Sequence, residues 1–538
     1  MDDRLLRGTY EKLKALVRKA EYEGPQARQL AAELRRALPK ELRLVNPNSE
    51  QQIKALVLLA EVWDYYGMFD AAKQASAPAT WILSLNTPPP KQSPKDELTQ
   101  SKVRLMVAYA RSLYRAPVQT PVIDVLLACR EYVGKHLAND YFPCYGTLGE
   151  ISYTLGRAYR QRQRFTEALG EFTEAIRLYE ERAVRKEKAD PKGADEAIAF
   201  SAHKVAVILA LGISWCNYTQ GALSTAIYAN LIPASAILRR SKDILNRAYA
   251  DVLRASIVRA LTGKDTAKLG VARKRVEAAR EIFRDYGHTH YAAGAALELA
   301  LLALAERKHV EARQHLGDLR MWAENGDFRW SRSSLILESR ILRHEGNKEE
   351  SRSVATRAYD LAKDQQELLG QIDALVARSE SCDPRAQRDA IEDLLAALEL
   401  NGNPGNPAWA FNPKVHGVCH LHLVLHYLKL GRTYEALASF VEWEKVRNRV
   451  EHKSIHQLAD QVATMLDRCE KVEFRAADGL NYKASSRRLR EFLLRQARLR
   501  HPTQEGMART LGISRTLLNE WLAEFRIGSN PPKGGQKL

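Results

Sequence analysis

The chain has 538 residues, of which 45% are hydrophobic and 27% are charged, and its formal net charge is +17. This length exceeds one ordinary compact core, so several domains or an extended repeat array are expected. No apolar run is long enough to span a membrane, and the charged start lacks the apolar core of a signal peptide. These features indicate a cytoplasmic protein without a membrane partner.

The six cysteines are widely scattered and include no C-x-x-C pair. Such spacing is typical of reduced thiols and argues against a disulfide or zinc framework. We therefore predict neither redox chemistry nor a metal site from Cys129, Cys144, Cys216, Cys382, Cys419 and Cys469.

Residues 1–48 are predicted to form an N-terminal helical cap, and residues 49–470 a long helical array. The first repeat-like stretch, LVLLAEVWDYYGMFDAAKQA, places Trp63 on one helix, Gly67 in a turn and Ala72 on the next helix. The following segment, NTPPPKQSPKDE at residues 86–97, is predicted to be a loop because its successive prolines cannot continue a helix.

The clearest unit is ISYTLGRAYRQRQRFTEALGEFTEAIRLYEE, which contains L-G-x-x-Y followed by A-x-x-x-F-x-x-A. Small residues fit where two antiparallel helices approach closely, and aromatic residues fill the space between neighbouring hairpins. This pattern resembles the tetratricopeptide repeat. The resemblance implies an α-solenoid whose inner groove binds a protein or peptide. The predicted core residues of the unit are Leu155, Gly156, Tyr159, Ala168, Phe172 and Ala175.

Arg160, Arg162 and Arg164 lie at the turn of this unit. They form either a basic lip for an acidic partner or, in the interpretation we favour, a solvated turn. The charged segment RAVRKEKADPKGADE, at residues 182–196, is predicted to lengthen an inter-helix loop.

Weaker copies of the repeat follow. One contains Leu211, Gly212 and Trp215 but needs a lengthened turn, and degenerate copies come later. The series indicates an array of roughly seven or eight hairpins. A loop is predicted at residues 401–414, NGNPGNPAWAFNPK, before the last clear copy. The predicted core residues of that copy are Tyr427, Ala436 and Phe440.

Common catalytic spacings are not found. The sequence contains no G-x-x-x-x-G-K-[ST], H-E-x-x-H, G-x-S-x-G or G-x-G-x-x-G pattern. The densest cluster of potential ligands, HGVCHLHLVLH, includes His416, Cys419 and His420 at helical spacing, but it falls on the first helix of a predicted repeat. We therefore expect a non-enzymatic protein without a metal or cofactor.

The C-terminal segment concentrates positive charge. Residues 483–538 contain twelve Lys or Arg and four Glu, a net charge of +8. A concentrated basic segment is the pattern expected for a polyanion partner, because neutralised phosphates release condensed counterions. After a predicted linker at residues 471–485, this segment contains three helical blocks within residues 486–527, followed by a flexible tail at 528–538.

The spacing of the last two blocks, MARTLGISRTLLNEWL, predicts a helix-turn-helix. Thr503 and Ser514 are predicted to cap the two helices. Ala508 is small where the helices cross, and Gly512 suits a left-handed turn. Leu518 anchors the second helix in the core. The predicted core residues are Met507, Ala508, Leu511, Gly512, Leu518 and Trp521.

This segment resembles the C-terminal helix-turn-helix of the Fis family over about 45 residues. The resemblance implies binding to double-stranded DNA as a homodimer, with two modules about 34 Å apart on one duplex face. This sequence departs from the family at Glu520 and Glu524, because the family usually has basic residues in that part of the helix. Affinity is therefore expected to depend on the preceding helix. The predicted DNA-binding residues are Thr503, Ser514, Arg515, Thr516, Asn519, Arg487, Arg488, Arg495 and Arg498.

The whole chain is thus predicted to be all-α, with a tetratricopeptide-like α-solenoid followed by a small three-helix helix-turn-helix domain. Domain order suggests a transcriptional regulator in which the solenoid binds a protein or peptide and the C-terminal domain binds DNA. The alternative is a non-enzymatic scaffold of a multi-protein complex, whose terminal helices dock protein or RNA.

Overall fold

The computed structural model is helical in all regular structure of the residues it describes, which confirms the predicted all-α solenoid. Contacts divide the chain into two compact units, Met1–Asp460 and Gln461–Leu538. The structure describes residues 3–18, 25–38, 49–65, 68–79, 97–113, 122–136, 142–263, 265–323, 328–383, 385–402, 411–476, 494, 497, 503–511 and 513–525.

Two helices form the N-terminal cap, α1 (Asp3–Arg18) and α2 (Pro25–Arg36). Their apolar faces share one core with the next helix, α3 (Glu50–Tyr65), in which Leu6, Leu34 and Leu56 are buried. The cap therefore covers the apolar face that the first hairpin would otherwise expose, as the end of a solenoid requires.

Nine helix pairs follow within the described residues, more than the seven or eight predicted. The difference arises because some pairs lack the glycine and aromatic signature. The pairs are α3 with α4 (Phe69–Ser76), α5 (Glu97–Leu113) with α6 (Val122–His136), α7 (Phe142–Gln161) with α8 (Phe165–Ala189), α9 (Ala194–Gln220) with α10 (Ile232–Arg240), α11 (Ile244–Thr262) with α12 (Thr266–Asp285), α13 (Thr289–Ala305) with α14 (His309–Ala323), α15 (Phe328–His344) with α16 (Lys348–Asp364), α17 (Leu368–Glu380) with α18 (Gln387–Asn401), and α19 (Pro413–Lys429) with α20 (Thr433–Val446).

Phe172 holds the clearest hairpin together. Its side chain is fully buried, and a Cβ atom on Gly156 would lie only 2.7 Å from its ring. A Cβ atom on Gly212, in the next hairpin, would lie 3.0 Å from the same ring. Because both glycines lack a side chain, the Phe172 ring packs against α7 of its own pair and against α9 of the pair that follows. The other predicted core residues of this unit, Leu155, Tyr159, Ala168 and Ala175, are also buried.

The last hairpin uses the same packing with different residues. A Cβ atom on Gly417 would lie 2.6 Å from the ring of Trp443, which is fully buried. Tyr427 and Ala436 are buried as well, whereas Phe440 is half-buried. The ring that fills this hairpin is therefore Trp443, three residues beyond the aromatic position that the repeat pattern indicates.

The hairpin turns do not need glycine. Gln163 and Arg307 have φ angles of 60° and 61°, in the left-handed region. The amide of Arg164 donates to the carbonyl of Tyr159 at 3.0 Å, which is the six-residue hydrogen bond of a Schellman C-cap. Helices with and without a terminal glycine end in the same way, so turn glycines alone underestimate the number of pairs.

The predicted loop at residues 182–196 is wrong for most of its length. Helix α8 continues to Ala189, and α9 begins at Ala194. Pairs of opposite charge one turn apart stabilise the extension, since Arg185 binds Glu181 at 2.7 Å and Lys186 binds Asp190 at 2.6 Å. The charge pattern that was interpreted as a loop therefore belongs to an exposed helix.

The other predicted boundaries are partly described. In the two remaining predicted loops, residues 86–96 and 403–410 lie outside the described residues, as do residues 477–485 of the predicted linker and the tail at 528–538. Residues 471–476 are not linker but the end of helix α21 (Lys453–Ala476). That helix continues the apolar spacing of Ile455, Ala459, Val462 and Leu466, all buried.

Helix α9 has the length and composition of a membrane span. It nevertheless packs within the solenoid, against α8 and α10. Two π-helical segments occur in this pair, Ile208–Ile213 inside α9 and Thr225–Leu231 before α10. The apolar residues of α9 are divided between this packing and the lining of the inner face.

Helices distant in sequence also touch, so the solenoid closes on itself. The hydroxyl of Tyr65 donates to Asp243 Oδ1 at 3.1 Å, and the backbone amide of Glu451 donates to the carbonyl of Gly221 at 2.9 Å. These contacts join residues about two hundred positions apart. They convert the open inner face of a solenoid into an enclosed groove.

We predict that Gly156→Ala destabilises the protein by about 1–3 kcal/mol, because the new methyl group overlaps the Phe172 ring and the packed neighbours must move. The matched control is Gly170→Ala, where no atom lies within 4 Å of the added carbon. That change is expected to be neutral or stabilising by up to about 1 kcal/mol. Thermal unfolding by circular dichroism distinguishes them, and a Gly156→Ala protein that melts no earlier than wild type contradicts this packing.

Candidate binding groove

The enclosed groove runs along the inner face of the first compact unit and has a volume of about 2150 Å³. Its walls come mostly from the first helix of each pair, between Tyr10 and Leu458. Typical small-molecule pockets measure about 300–1,000 Å³. The groove therefore has room for a peptide or an extended protein segment.

Positive charge dominates the lining. Sixteen Lys or Arg and nine Asp or Glu side chains line the groove, a net charge of +7 with the histidines neutral. In a partly enclosed space such charges act through a lower dielectric than at an open surface, so the groove attracts anions.

Some acidic residues are bound within the lining. Glu150 pairs with Arg111 at 2.7 Å and with Lys204 at 3.4 Å, and it accepts a hydrogen bond from the hydroxyl of Tyr179 at 2.5 Å. Burial alone would raise the pKa of Glu150, but these three groups hold that pKa well below its usual range. Glu150 is therefore a fixed counter-ion near the N-terminal end of the groove.

A second fixed pair lies on α11 and α13. The Arg259 guanidinium donates two hydrogen bonds to Glu298, at 2.7 and 3.1 Å, and Ser256 Oγ donates to the same carboxylate at 2.8 Å. This fork geometry fixes the planes of both groups. Arg259 thus presents its remaining edge toward the hydroxyl of Tyr218, 3.5 Å away.

Several other cations in the groove lie over aromatic rings. Arg182 lies 4.6 Å from the Phe200 ring centroid, Arg160 lies 5.8 Å from that of Trp215, and Lys414 Nζ lies 5.4 Å from that of Tyr218. Such cation–π contacts attract a cation to the face of a ring. The groove therefore presents cations beside apolar ring faces.

Lys414 is the most perturbed of these cations. Burial lowers its pKa, Asp373 opposes that effect, and Arg259 and Arg340 lower it further, to about 8. Within the described part of the chain, neither Lys414 nor Arg340 forms an ion pair. Lys414 and Arg340 are thus held close to Arg259 without an ion pair of their own among the described residues.

Aromatic rings cross the groove between repeats. The Trp215 and Tyr249 centroids are 6.5 Å apart, and those of Tyr249 and Tyr291 are 4.7 Å apart. Further along, Trp330 Nε1 donates to His290 Nδ1 at 2.9 Å. These rings give the basic groove apolar faces, a combination suited to a ligand with both acidic and apolar side chains.

Arg160 also connects the groove to the π-helical segment of α9. Its Nη1 donates to the carbonyl of Leu211 at 2.6 Å. Widened helical turns leave carbonyls with weaker partners and are frequent at functional sites. Of the three arginines considered for a basic lip, Arg160 lines the groove, whereas Arg164 pairs with Glu167 at 2.7 Å.

Besides the end of α21, the second compact unit contains two described helices, α22 (Gln504–Leu511) and α23 (Arg515–Glu524). Thr503 Oγ1 accepts a hydrogen bond from the Gly506 amide at 3.2 Å, and Ser514 Oγ accepts one from the Leu517 amide at 3.1 Å. Both side chains therefore cap the helices that they precede.

The core of this unit includes most of the predicted positions. Met507, Ala508 and Leu518 are buried together with Leu494, Ala497 and Leu522, and Leu511 and Trp521 are partly buried against them. On the outer surface, Arg515, Thr516 and Asn519 are exposed, and so are Glu520 and Glu524. The predicted residues outside the described part of the chain are Gly512, Arg487, Arg488, Arg495 and Arg498.

The histidine cluster of α19 is buried in the hairpin. The His416 and His420 rings are 4.4 Å apart, next to the fully buried Cys419. Burial lowers the pKa of His420, and His416 and Lys445 lower it further, to about 3. In the portion of the chain that the structure describes, no group of three His, Cys, Asp or Glu side chains is placed to hold a metal ion.

Comparison with known proteins identifies the fold. No family model matches the sequence, and no curated protein matches it significantly. Among solved structures, the chain is similar to a Rap protein complexed with competence and sporulation factor, with a TM-score of 0.50 and 12% sequence identity. The match covers 76% of this chain and 99% of the Rap chain. At this identity the similarity shows a shared helical-repeat fold.

Sequence reasoning missed most groove residues. Tyr218, Arg259, Arg340 and Lys414 lie on different helices and belong to no motif. The available signal was weak: each is a large polar or aromatic residue on the first helix of a pair, where the repeat pattern predicts only packing. Their convergence depends on how the pairs stack, which a single repeat does not reveal.

Proposed function

We propose that this protein is a cytoplasmic, non-enzymatic regulator whose groove binds an acidic peptide or protein segment and whose C-terminal unit binds double-stranded DNA. The observation that carries the ligand assignment is the net charge of +7 in the groove. An acidic ligand reduces the repulsion among the cations that line the groove. Its carboxylates also replace the hydration that these cations lose on burial.

The groove chemistry favours a peptide over a small metabolite. Its volume of about 2150 Å³ is larger than a small ligand fills, and its cations are distributed along several repeats. Cations such as Arg182 and Arg160 lie against rings, so an extended chain places acidic side chains on the cations and apolar side chains on the rings. The solved neighbour supports a binding role for this architecture, since that Rap protein forms a complex with competence and sporulation factor.

The DNA-binding role is supported by the sequence resemblance to the Fis family and by the exposed face of α23. Arg515, Thr516 and Asn519 are exposed on that helix, where their donors are free to meet base edges. Glu520 and Glu524 share the exposed surface and oppose phosphate contact. We therefore assign sequence preference to Arg515 and Asn519, in a homodimer that places two modules on successive major grooves.

The alternative function is a scaffold in which the terminal helices dock protein or RNA. The specific observation in its favour is the exposed pair Glu520 and Glu524 on α23, because like charges repel the DNA backbone. Both functions share the acidic groove ligand, so the groove and the C-terminal unit require separate experiments.

The groove assignment predicts a preference for acidic peptides. Two fluorescein-labelled random pools are compared by anisotropy with the full-length protein, one with Asp or Glu at alternate positions and the other with Asn or Gln there. The acidic pool is expected to bind more tightly, and the double variant Arg160→Met/Arg182→Met to weaken its binding at least about fivefold, because charge-assisted hydrogen bonds are lost. Arg388→Met, which removes an exposed arginine outside the groove, is the control. Equal binding of the two pools contradicts the assignment.

The DNA assignment predicts a palindromic target. Genomic-fragment selection at physiological salt is expected to enrich such a sequence with wild type. Arg515→Ala should reduce the preference for this sequence by about 1–3 kcal/mol, the usual discrimination supplied by a bidentate base contact. The matched control is Arg509→Ala, an exposed arginine on α22 that pairs with Glu505 and should not alter base preference. A chain truncated after Tyr482 should lose binding. Uniform or absent enrichment, or a preference for RNA, favours the scaffold.

A further inference from the structure

One region of the groove gathers cations from three distant helices. Arg259 on α11, Arg340 on α15 and Lys414 on α19 all line the groove. Tyr218 lies among them: its hydroxyl is 3.5 Å from Arg259 Nη2, and its ring centroid is 5.4 Å from Lys414 Nζ. Burial raises the pKa of Tyr218 and lowers that of Lys414, and the positive charge of Arg340 acts to lower both pKa values.

The neighbouring carboxylates leave this cluster positive. Glu298 is held by Arg259, and Asp373 is the carboxylate that acts on Lys414. Three cations against two carboxylates leave a local charge of +1. The Glu380 carboxylate also interacts electrostatically with Arg340. It is paired with Arg343 and, at 3.2 Å, with His422, so its negative charge is already compensated.

The nearby His452 does not change this local charge. Burial lowers the pKa of His452 to about 2, and Lys414 and Arg259 contribute to that shift. His452 is therefore neutral at physiological pH. Burial lowers the pKa of Lys414 as well, and repulsion from Arg259 and Arg340 adds to that shift.

A helix cap fixes the backbone at Lys414. Asn412 caps α19 by accepting hydrogen bonds from the amides of Lys414 at 3.0 Å and Val415 at 3.4 Å. The Asn412 amide also donates to the carbonyl of Thr219 at 3.3 Å, across the closure of the solenoid. Lys414 thus lies in the first turn of a helix, where cations are usually disfavoured by the helix dipole. The fold keeps a positive charge where it is unfavourable without a ligand.

We propose that Arg259, Arg340 and Lys414 form a carboxylate-binding subsite around Tyr218, which receives one acidic side chain of the ligand in the groove. This inference rests on the proposed function, since it locates one contact of the acidic peptide. The guanidinium of Arg340 and the ammonium of Lys414 supply donors that carry no ion pair, and a carboxylate accepts from both. The local charge of +1 matches a singly charged carboxylate better than a doubly charged phosphate.

The subsite is tested on the full-length protein with small probes that do not depend on peptide binding. N-acetylglutamate α-amide carries one carboxylate, N-acetylglutamine α-amide carries none, and inorganic phosphate tests the competing anion. Lysines are labelled by reductive methylation with ¹³C, which preserves their charge, and the Lys414 signal is assigned by its loss in Lys414→Arg. Its NMR titration reports the pKa of Lys414 directly.

The carboxylate probe is expected to raise the pKa of Lys414 by at least about half a pH unit, whereas the amide probe leaves it unchanged. Arg340→Met should weaken carboxylate binding at least about fivefold, because a charge-assisted donor is lost. Arg340→Lys, which keeps the charge, should retain part of the affinity. Arg388→Met, outside the groove, should have no effect, and thermal melts verify that all variants fold.

The proposal is overturned if the amide probe shifts Lys414 as much as the carboxylate does, or if Arg388→Met weakens binding as much as Arg340→Met. Tighter binding of phosphate than of carboxylate also overturns it, in favour of a phosphate site. The result is separable from the peptide experiment. Carboxylate binding without a preference for the acidic pool retains the subsite but rejects an acidic peptide as the ligand.

Discussion

The close approach of an aromatic ring to a glycine backbone is the constraint on which the solenoid depends. At Phe172 one ring is in contact with glycine positions on two successive pairs, and Trp443 is packed against Gly417 near the end of the array. Such contacts fix how each pair leans on its neighbour, because packed interiors have little free volume. Where they occur, these contacts help to align the first helices of neighbouring pairs around the groove.

The closure of the array then determines the electrostatics of the groove. Contacts such as Tyr65 with Asp243 and Glu451 with Gly221 bring distant pairs together around the inner face. Enclosure strengthens interactions among charges, both the favourable pair of Arg259 with Glu298 and the repulsion around Lys414. The fold thus creates a groove whose lining carries a net positive charge. Functional sites commonly retain such destabilising features.

Local packing was predictable from the sequence, whereas the groove was not. The spacing of Gly156, Ala168 and Phe172 predicted one hairpin because these residues meet within a single pair. The charged segment after residue 181 has no continuous apolar face, so its sequence pattern indicates a loop. Ion pairs one turn apart, such as Arg185 with Glu181, nevertheless stabilise it as a helix. Arg259, Arg340 and Lys414 are separated by more than seventy residues each, and only the stacking of the intervening pairs brings them together.

If the protein is the regulator proposed above, ligand binding in the groove must change the affinity of the C-terminal unit for DNA. The most direct measurement is the affinity for the selected DNA site with and without a saturating peptide from the acidic pool. The account predicts a change of at least about fivefold in wild type, within the usual range of allosteric coupling, and none in Arg160→Met/Arg182→Met at a peptide concentration that no longer fills its groove. An unchanged DNA affinity while the peptide is bound would contradict it.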